Sequence, residues 1–294
     1  MRRGVAIAVV SLCLLSAGCA GLFGDGTAAR ETVTPAPVPT AEATASPEQR
    51  APGIVGDRVV NATALGRAHV GQLSSTSYQV RHTRTVRNDS GVYKRVRTRA
   101  SISTGYRSYR ATRTVTGPGV TAREIHSTWR NGRALRWTTV NGSTSAEVVA
   151  DSRGIGGPPR PPRAALFFEP TFNGRLITLL SVTNVTSIRP GGSVIKQLYG
   201  VSLYRIKGAG ATDDRTIATR PVDRVTNVSL SATVTPNGVV RSYALQYTTV
   251  NGTETRRVTE SLRYSDLGTT EVAFDTWHGS APTAGRTDQY NRTE

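Results

Sequence analysis

The sequence predicts a mainly β, α+β fold: one large curved antiparallel sheet with one or two short helices packed on it. Three observations carry this. Asn131-Gly132, Asn141-Gly142, Asn237-Gly238 and Asn251-Gly252 each separate strand-like runs, and Asn-Gly supplies the positive φ angles that a type I′ hairpin turn demands. Between these pairs the apolar residues recur with period two, as on a half-buried strand. Helical spacing is confined to two short stretches.

In chain order, residues 1–18 read as a signal peptide. Arg2 and Arg3 form a charged start, Val5 to Leu15 an apolar stretch too short to span a bilayer, and Ser16-Ala17-Gly18 a small-residue cleavage site before Cys19. A thiol at that place can be alkylated by a lipid and become the new N-terminus, so Cys19 is the expected lipidation site. The chain is then held on the extracytoplasmic face of the cell membrane. The paired arginines also suit the twin-arginine route, although no Ser or Thr precedes them and no Phe-Leu follows.

Residues 19–52 read as a tether. Pro35, Pro37, Pro39 and Pro47 alternate with Thr and Ala, a composition that favours extended polyproline II at about 3.1 Å per residue. Cys13 leaves with the signal and Cys19 is consumed by the anchor, so the mature domain has no disulfide, no cysteine metal site and no thiol nucleophile. At 294 residues the chain is long enough for a core without staples.

The folded domain is expected over 53–280, with a polar tail at 281–294. Asn61 to Leu73 places Leu65, Ala68 or His69, and Leu73 at helical spacing. In Tyr78 to Val86 the residues Tyr78, Val80, His82 and Val86 share one face, and in Val92 to Ile102 the set Val92, Val96, Ala100 and Ile102 does the same. Asn88-Asp89-Ser90-Gly91 joins them as a turn. Two meanders follow, Tyr78 to Val149 and Ser193 to Phe274, separated by a stiff Pro-rich loop at 154–163 and a second short helix at Leu176 to Val182.

Net charge is +17, and most of the excess is arginine, since lysine occurs only at Lys94, Lys196 and Lys207. Arg81, Arg87, Arg95, Arg97 and Arg99 fall on the outward sides of the first two strands and predict a basic sheet face. Arg95, Arg97 and Arg99 are the candidates for an anionic partner: an acidic glycan, a surface-layer protein or a lipid headgroup. Nucleic acid is excluded as a partner, because a tethered exterior domain seldom meets it and the sequence carries no recognition helix, zinc ligands or RNA-binding aromatic motif. A solvated face written in arginine is the plain alternative.

Seven of the ten asparagines stand in N-x-S/T sequons, at Asn61, Asn88, Asn141, Asn184, Asn227, Asn251 and Asn291. With Ser and Thr about a fifth of the chain, chance gives roughly two, so N-glycosylation is expected.

No catalytic constellation is legible. His69, His82, His126 and His278 are scattered, without a zinc-binding H-E-x-x-H, a G-x-S-x-G elbow or a phosphate-binding glycine loop. Asp213-Asp214 in a Gly-rich stretch reads as a solvated turn rather than a metal site. No cofactor or metal is expected, and the protein reads as non-enzymatic. The hydrophobic-ligand candidates are the inward-facing Tyr78, Val80, Val96, Ile102, Trp129, Trp137, Leu203 and Tyr204, with a filled core as the alternative.

The signal-Cys-tether layout, Ala64-Leu65-Gly66-Arg67-Ala68-His69, Ser77-Tyr78-Gln79-Val80-Arg81, Val225 to Leu230, Asn237 to Arg241, and Arg263 to Gly268 through Trp277 stand out as motifs. Together they resemble a family of haloarchaeal surface lipoproteins of unknown function. The basic charge departs from that group, whose members are acidic. The order helix, long meander, short helix, second meander also resembles the lipoprotein-carrier fold, a half-barrel sheet that holds a lipid tail. Together with the expected anchor at Cys19, that resemblance implies a membrane-tethered protein binding a lipid or other hydrophobic ligand.

Overall fold

A computed structural model describes residues 48–151, 161, 166–192, 202–218 and 220–274. All of them belong to one compact unit that begins at Ser46. Eleven antiparallel strands form one sheet, in spatial order β10-β11-β12-β13-β14-β4-β5-β6-β7-β8-β9. The strands are β4 (Tyr78–Asn88), β5 (Gly91–Ile102), β6 (Tyr109–Thr116), β7 (Arg123–Arg130), β8 (Arg133–Val140), β9 (Ser143–Asp151), β10 (Thr183–Pro190), β11 (Tyr204–Ala211), β12 (Arg224–Val234), β13 (Val240–Asn251) and β14 (Glu254–Ser265). β9 and β10 lie at opposite edges and do not pair, so the curved sheet is an open half-barrel.

The chain enters the middle of this sheet with β4 and walks outward to β9. It crosses to the far edge through residues 152–182 and walks back to the middle with β14, which pairs with β4 through Tyr264↔Val80 and Leu262↔His82. The connection is described at 161 and over 166–182. Its described part carries α2 (Asn173–Val182) on the face that also holds α1 (Ala62–Ser74).

The turns follow the sequence. Asn131-Gly132 and Asn141-Gly142 both have positive φ at each residue, as type I′ turns require. At the β13–β14 hairpin Asn251 pairs with Glu254, and Gly252, at φ 57°, takes the first loop position instead.

The tether ends earlier than its composition suggests. β1 (Gln49–Ala51), β2 (Ile54–Val55) and β3 (Arg58–Val59) make a small separate sheet, because Ala51 and Ile54 are buried. Arg50 in β1 donates to the Ile188 carbonyl of β10 and lies over the Tyr204 ring, fastening this sheet to the edge of the large one. The first meander ends at Asp151, close to the expected Val149. The second begins at Thr183 rather than Ser193: Val182 passes straight from α2 into a β-branched strand with no glycine or proline to mark the junction.

Candidate ligand-binding face

The inner, helix-bearing face is built from α1. Asn61 caps it, its Oδ1 accepting from Ala64 N at 2.9 Å, and Leu65, His69 and Leu73 point at the sheet. Gly66 lets α2 approach, since a Cβ there would meet Asn173 Oδ1 at 2.5 Å and Ile177 Cγ1 at 2.6 Å. His69 accepts at Nδ1 from Val240 N at 3.2 Å, so its Nε2–H donates to Thr171 O at 3.1 Å. Burial lowers its pKa to about 4 against the partial help of the Thr171 bond, which keeps the ring neutral. Tyr264 donates to the same carbonyl at 2.6 Å.

Under the helices the face is a sealed core. Tyr78, Val80, Ile102 and Trp129 are each at most 1% exposed. They line neither of the cavities described below; the filled-core alternative holds for them. Val96 and Leu203 are also buried and Tyr204 is half-buried. Trp137 points to the other side: it pairs with His126 while Ala134 pairs with Trp129, so alternation sends the two tryptophans to opposite faces.

A carboxylate crosses this core. Glu260 in β14 is 4% exposed and accepts from Arg175 Nε at 3.3 Å and Nη2 at 2.9 Å, from Tyr243 Oη at 2.5 Å, and from His82 Nε2 at 3.3 Å. Burial works against its charge, yet the His82 bond and the Arg175 charge and bonds hold it well below the usual carboxylate range. Arg175 also donates to Ile217 O at 3.0 Å, which ties α2 to α3 (Asp214–Ile217). With both oxygens engaged, the cluster acts as a strut.

Described residues on this face line a larger and a smaller cavity. The larger, about 860 Å³, lies between α1 and the 166–171 segment and is lined by Val70, Tyr106, Leu166, Phe167, Phe168 and Pro170 among others. Phe168 stacks between Phe167 and Phe172 at 5.3 and 6.2 Å. The smaller, about 180 Å³, lies toward the other ends of β4, β5, β13 and β14, where Arg84, Lys94, Arg220 and Arg256 surround Tyr93, Val258 and Tyr247.

The outer face is polar and basic, as the alternation predicts. Arg81 pairs with Arg99 on one side and Arg263 on the other, Thr83 with Arg97, and Thr85 with Arg95. Arg97 and Arg99 are exposed and Arg95 is half-buried. Among the sequon residues, Asn61, Asn141, Asn184, Asn227 and Asn251 are exposed and Asn88 is half-buried. Asn291 and Cys19 lie outside the described residues, as do His278 and the Pro-rich loop at 154–163 apart from Pro161. Asp213 caps α3, accepting from Thr216 N at 3.3 Å.

Sequence reasoning passed over the residues that line both cavities. Two of the five phenylalanines are adjacent at Phe167-Phe168, an apolar run between a Pro-rich loop and a helix. Arg84 falls in register with Tyr78, Val80, His82 and Val86, a cation on the apolar side of the strand.

No family model and no curated protein matches the chain. Solved structures similar to it include a DUF1329 family protein from Desulfovibrio piger, 7% identical over 75% of this chain and 97% of that one, at a TM-score of 0.29. A LolA superfamily protein from Nitrosomonas europaea is 10% identical over 73% and 96%, at 0.24. A beta-barrel-like protein of the domain of unknown function DUF1849 from Brucella abortus is 12% identical over 68% and 99%, at 0.27.

Proposed function

We propose that this protein binds a lipid or other hydrophobic ligand on the inner face of its half-barrel, while a lipid on Cys19 holds it to the extracytoplasmic side of the cell membrane. The observation that carries the binding reading is the aromatic cavity of about 860 Å³ beside Leu166, Phe167 and Phe168. Its size and lining are those of a site for an apolar molecule. The role is binding rather than catalysis: His69 is held by two backbone groups and Glu260 by three side chains, which leaves neither poised for proton transfer. The anchor rests on the sequence, on the small residues before Cys19 and the Pro-rich tether behind it.

Native mass spectrometry of protein taken from its own membrane tests the binding reading. A bound lipid adduct is expected on the wild type and not on a Leu166→Ser, Phe168→Ser variant. Repeated preparations without any adduct would remove the proposal.

A second reading concerns the outer face, where the cross-strand row Arg263, Arg81, Arg99 repeats positive charge at the strand spacing. Such a row fits an extended acidic glycan or an acidic surface-layer protein. Retention on an acidic glycan matrix should fall when Arg95, Arg97 and Arg99 become Ser. Unchanged retention would sink this reading.

A further inference from the structure

We propose that the smaller inner-face cavity binds a phosphate or sulfate group, held by Arg84, Lys94 and Arg220 with Arg113 and Arg123 close by. The register puts these cations together. Arg84 on β4, Lys94 on β5, Arg113 on β6 and Arg123 on β7 all occupy inner-face positions, as their pairings with Val96, Val86, Thr98 and Val140 require. Arg220 comes from the segment between α3 and β12 and closes the cavity from the other half of the sheet.

Carboxylates are scarce here. Glu254, the acidic residue of this cavity lining, is engaged in two bonds of 2.6 Å from Arg256. Among the described residues, Lys94, Arg123 and Arg220 have no carboxylate partner within salt-bridge reach. Arg84 donates one nitrogen to Tyr247 Oη at 3.0 Å, and Arg113 donates one to Phe167 O at 3.2 Å. The Nε of each is buried with no acceptor. A buried donor left unmatched is costly, and so are like charges gathered at one end of a sheet face. A tetrahedral oxyanion relieves both, because its oxygens accept from several guanidinium and ammonium groups at once. Lys94 shows the strain: burial lowers its pKa, and the charges of Arg220, Arg84, Arg113 and Arg123 lower it further. The cavity, about 180 Å³, far exceeds the roughly 10–15 Å³ that one water needs.

Arg113 also joins this cationic end to the aromatic one, since the carbonyl it holds belongs to Phe167. An amphiphile with its tail beside Phe168 and an anionic head among the arginines would use both. That part of the inference rests on the hydrophobic-ligand reading; the oxyanion site stands without it.

The experiment is calorimetric titration of the full-length protein, in non-ionic detergent at constant ionic strength, with three probes: inorganic phosphate, dihexanoyl phosphatidic acid and dihexanoylglycerol. Phosphate is expected to bind, and phosphatidic acid to bind at least tenfold more tightly. Lys94→Met and Arg220→Ser are each expected to weaken both by tenfold or more. Arg220 is exposed, so its replacement leaves the fold intact and a null result there counts. Added phosphate should also raise the thermal midpoint of the wild type and not that of Lys94→Met.

Phosphate binding without any gain for phosphatidic acid would uphold the oxyanion site with a free anion as its source, and would count against the amphiphile. Binding of both lipids with no response to phosphate or to either variant would overturn the oxyanion site and leave the hydrophobic reading standing. No heat with any probe would overturn both.

Discussion

His69 joins three parts of the fold through one buried ring. Its ring spans α1, the backbone of β13 and the segment at Thr171, and both nitrogens are used in the neutral form. The folded pKa of about 4 lies below the ordinary imidazole value of 6.5, so between these values the unfolded chain binds more protons than the folded one. The stabilisation from neutral His69 is therefore complete above pH 6.5 and is lost as pH falls toward 4, on the order of 3 kcal/mol in all. Chemical denaturation followed from pH 7 to 4.5 should show the wild type weakening steadily. His69→Gln should start lower and change little over the same range. A parallel decline in both proteins would mean that another group titrates.

At the scale of elements, α2 is held to the sheet through one buried ion pair. Arg175 reaches Glu260 across 85 residues of sequence, and the partners His82 and Tyr243 complete the carboxylate's shell. Glu260→Gln leaves the guanidinium facing a neutral group, and removing one member of a buried pair costs about 3–5 kcal/mol. A drop of that size in the urea unfolding free energy is expected. The loss should be much smaller in a Glu260→Gln, Arg175→Met double variant, which removes both charges. Equal losses in the two would show that the carboxylate acts alone. The alternation Val258, Glu260, Leu262, Tyr264 already marks Glu260 as an acid in an apolar register, but nothing in the sequence names its partner. Helix α2 arrives by a crossover whose path depends on the sheet being built.

For the whole molecule, positive charge is divided between two faces that treat it differently. Outside, Arg81 sits between Arg99 and Arg263 in water, where like charges directly opposite on neighbouring strands oppose pairing and salt screens them. Arg99→Glu should raise the thermal stability slightly, by a few tenths to about 1 kcal/mol, with the gain shrinking as salt rises. A loss of stability at low salt would show that the outer arginines are already matched. Inside, Arg84, Lys94 and Arg113 are partly withdrawn from solvent, and an oxyanion at the proposed site would relieve their charge. The same residue type is thus a surface property on one side of the sheet and a recognition device on the other.

What the sequence by itself determined is local. The Asn-Gly pairs at 131–132 and 141–142 set two hairpins, period two set the strands and their faces, and helical spacing set α1, because each depends on backbone angles and on neighbours a few residues away. Outward Arg97 and Arg99 and inward Tyr78 and Val80 were legible on the same grounds. The tertiary structure alone decided which inward residues are sealed and which line a cavity. Tyr78, Val80, Ile102 and Trp129 are sealed in one core with Leu65 and Leu73 of α1 and Leu176 and Leu179 of α2. Arg84, Lys94, Arg113 and Arg123 converge because four strands pair in register, and Phe167 meets Arg113 because the 166–172 segment lies over the inner face. Those juxtapositions join residues far apart in the chain, and no periodicity of sequence encodes a path across a sheet.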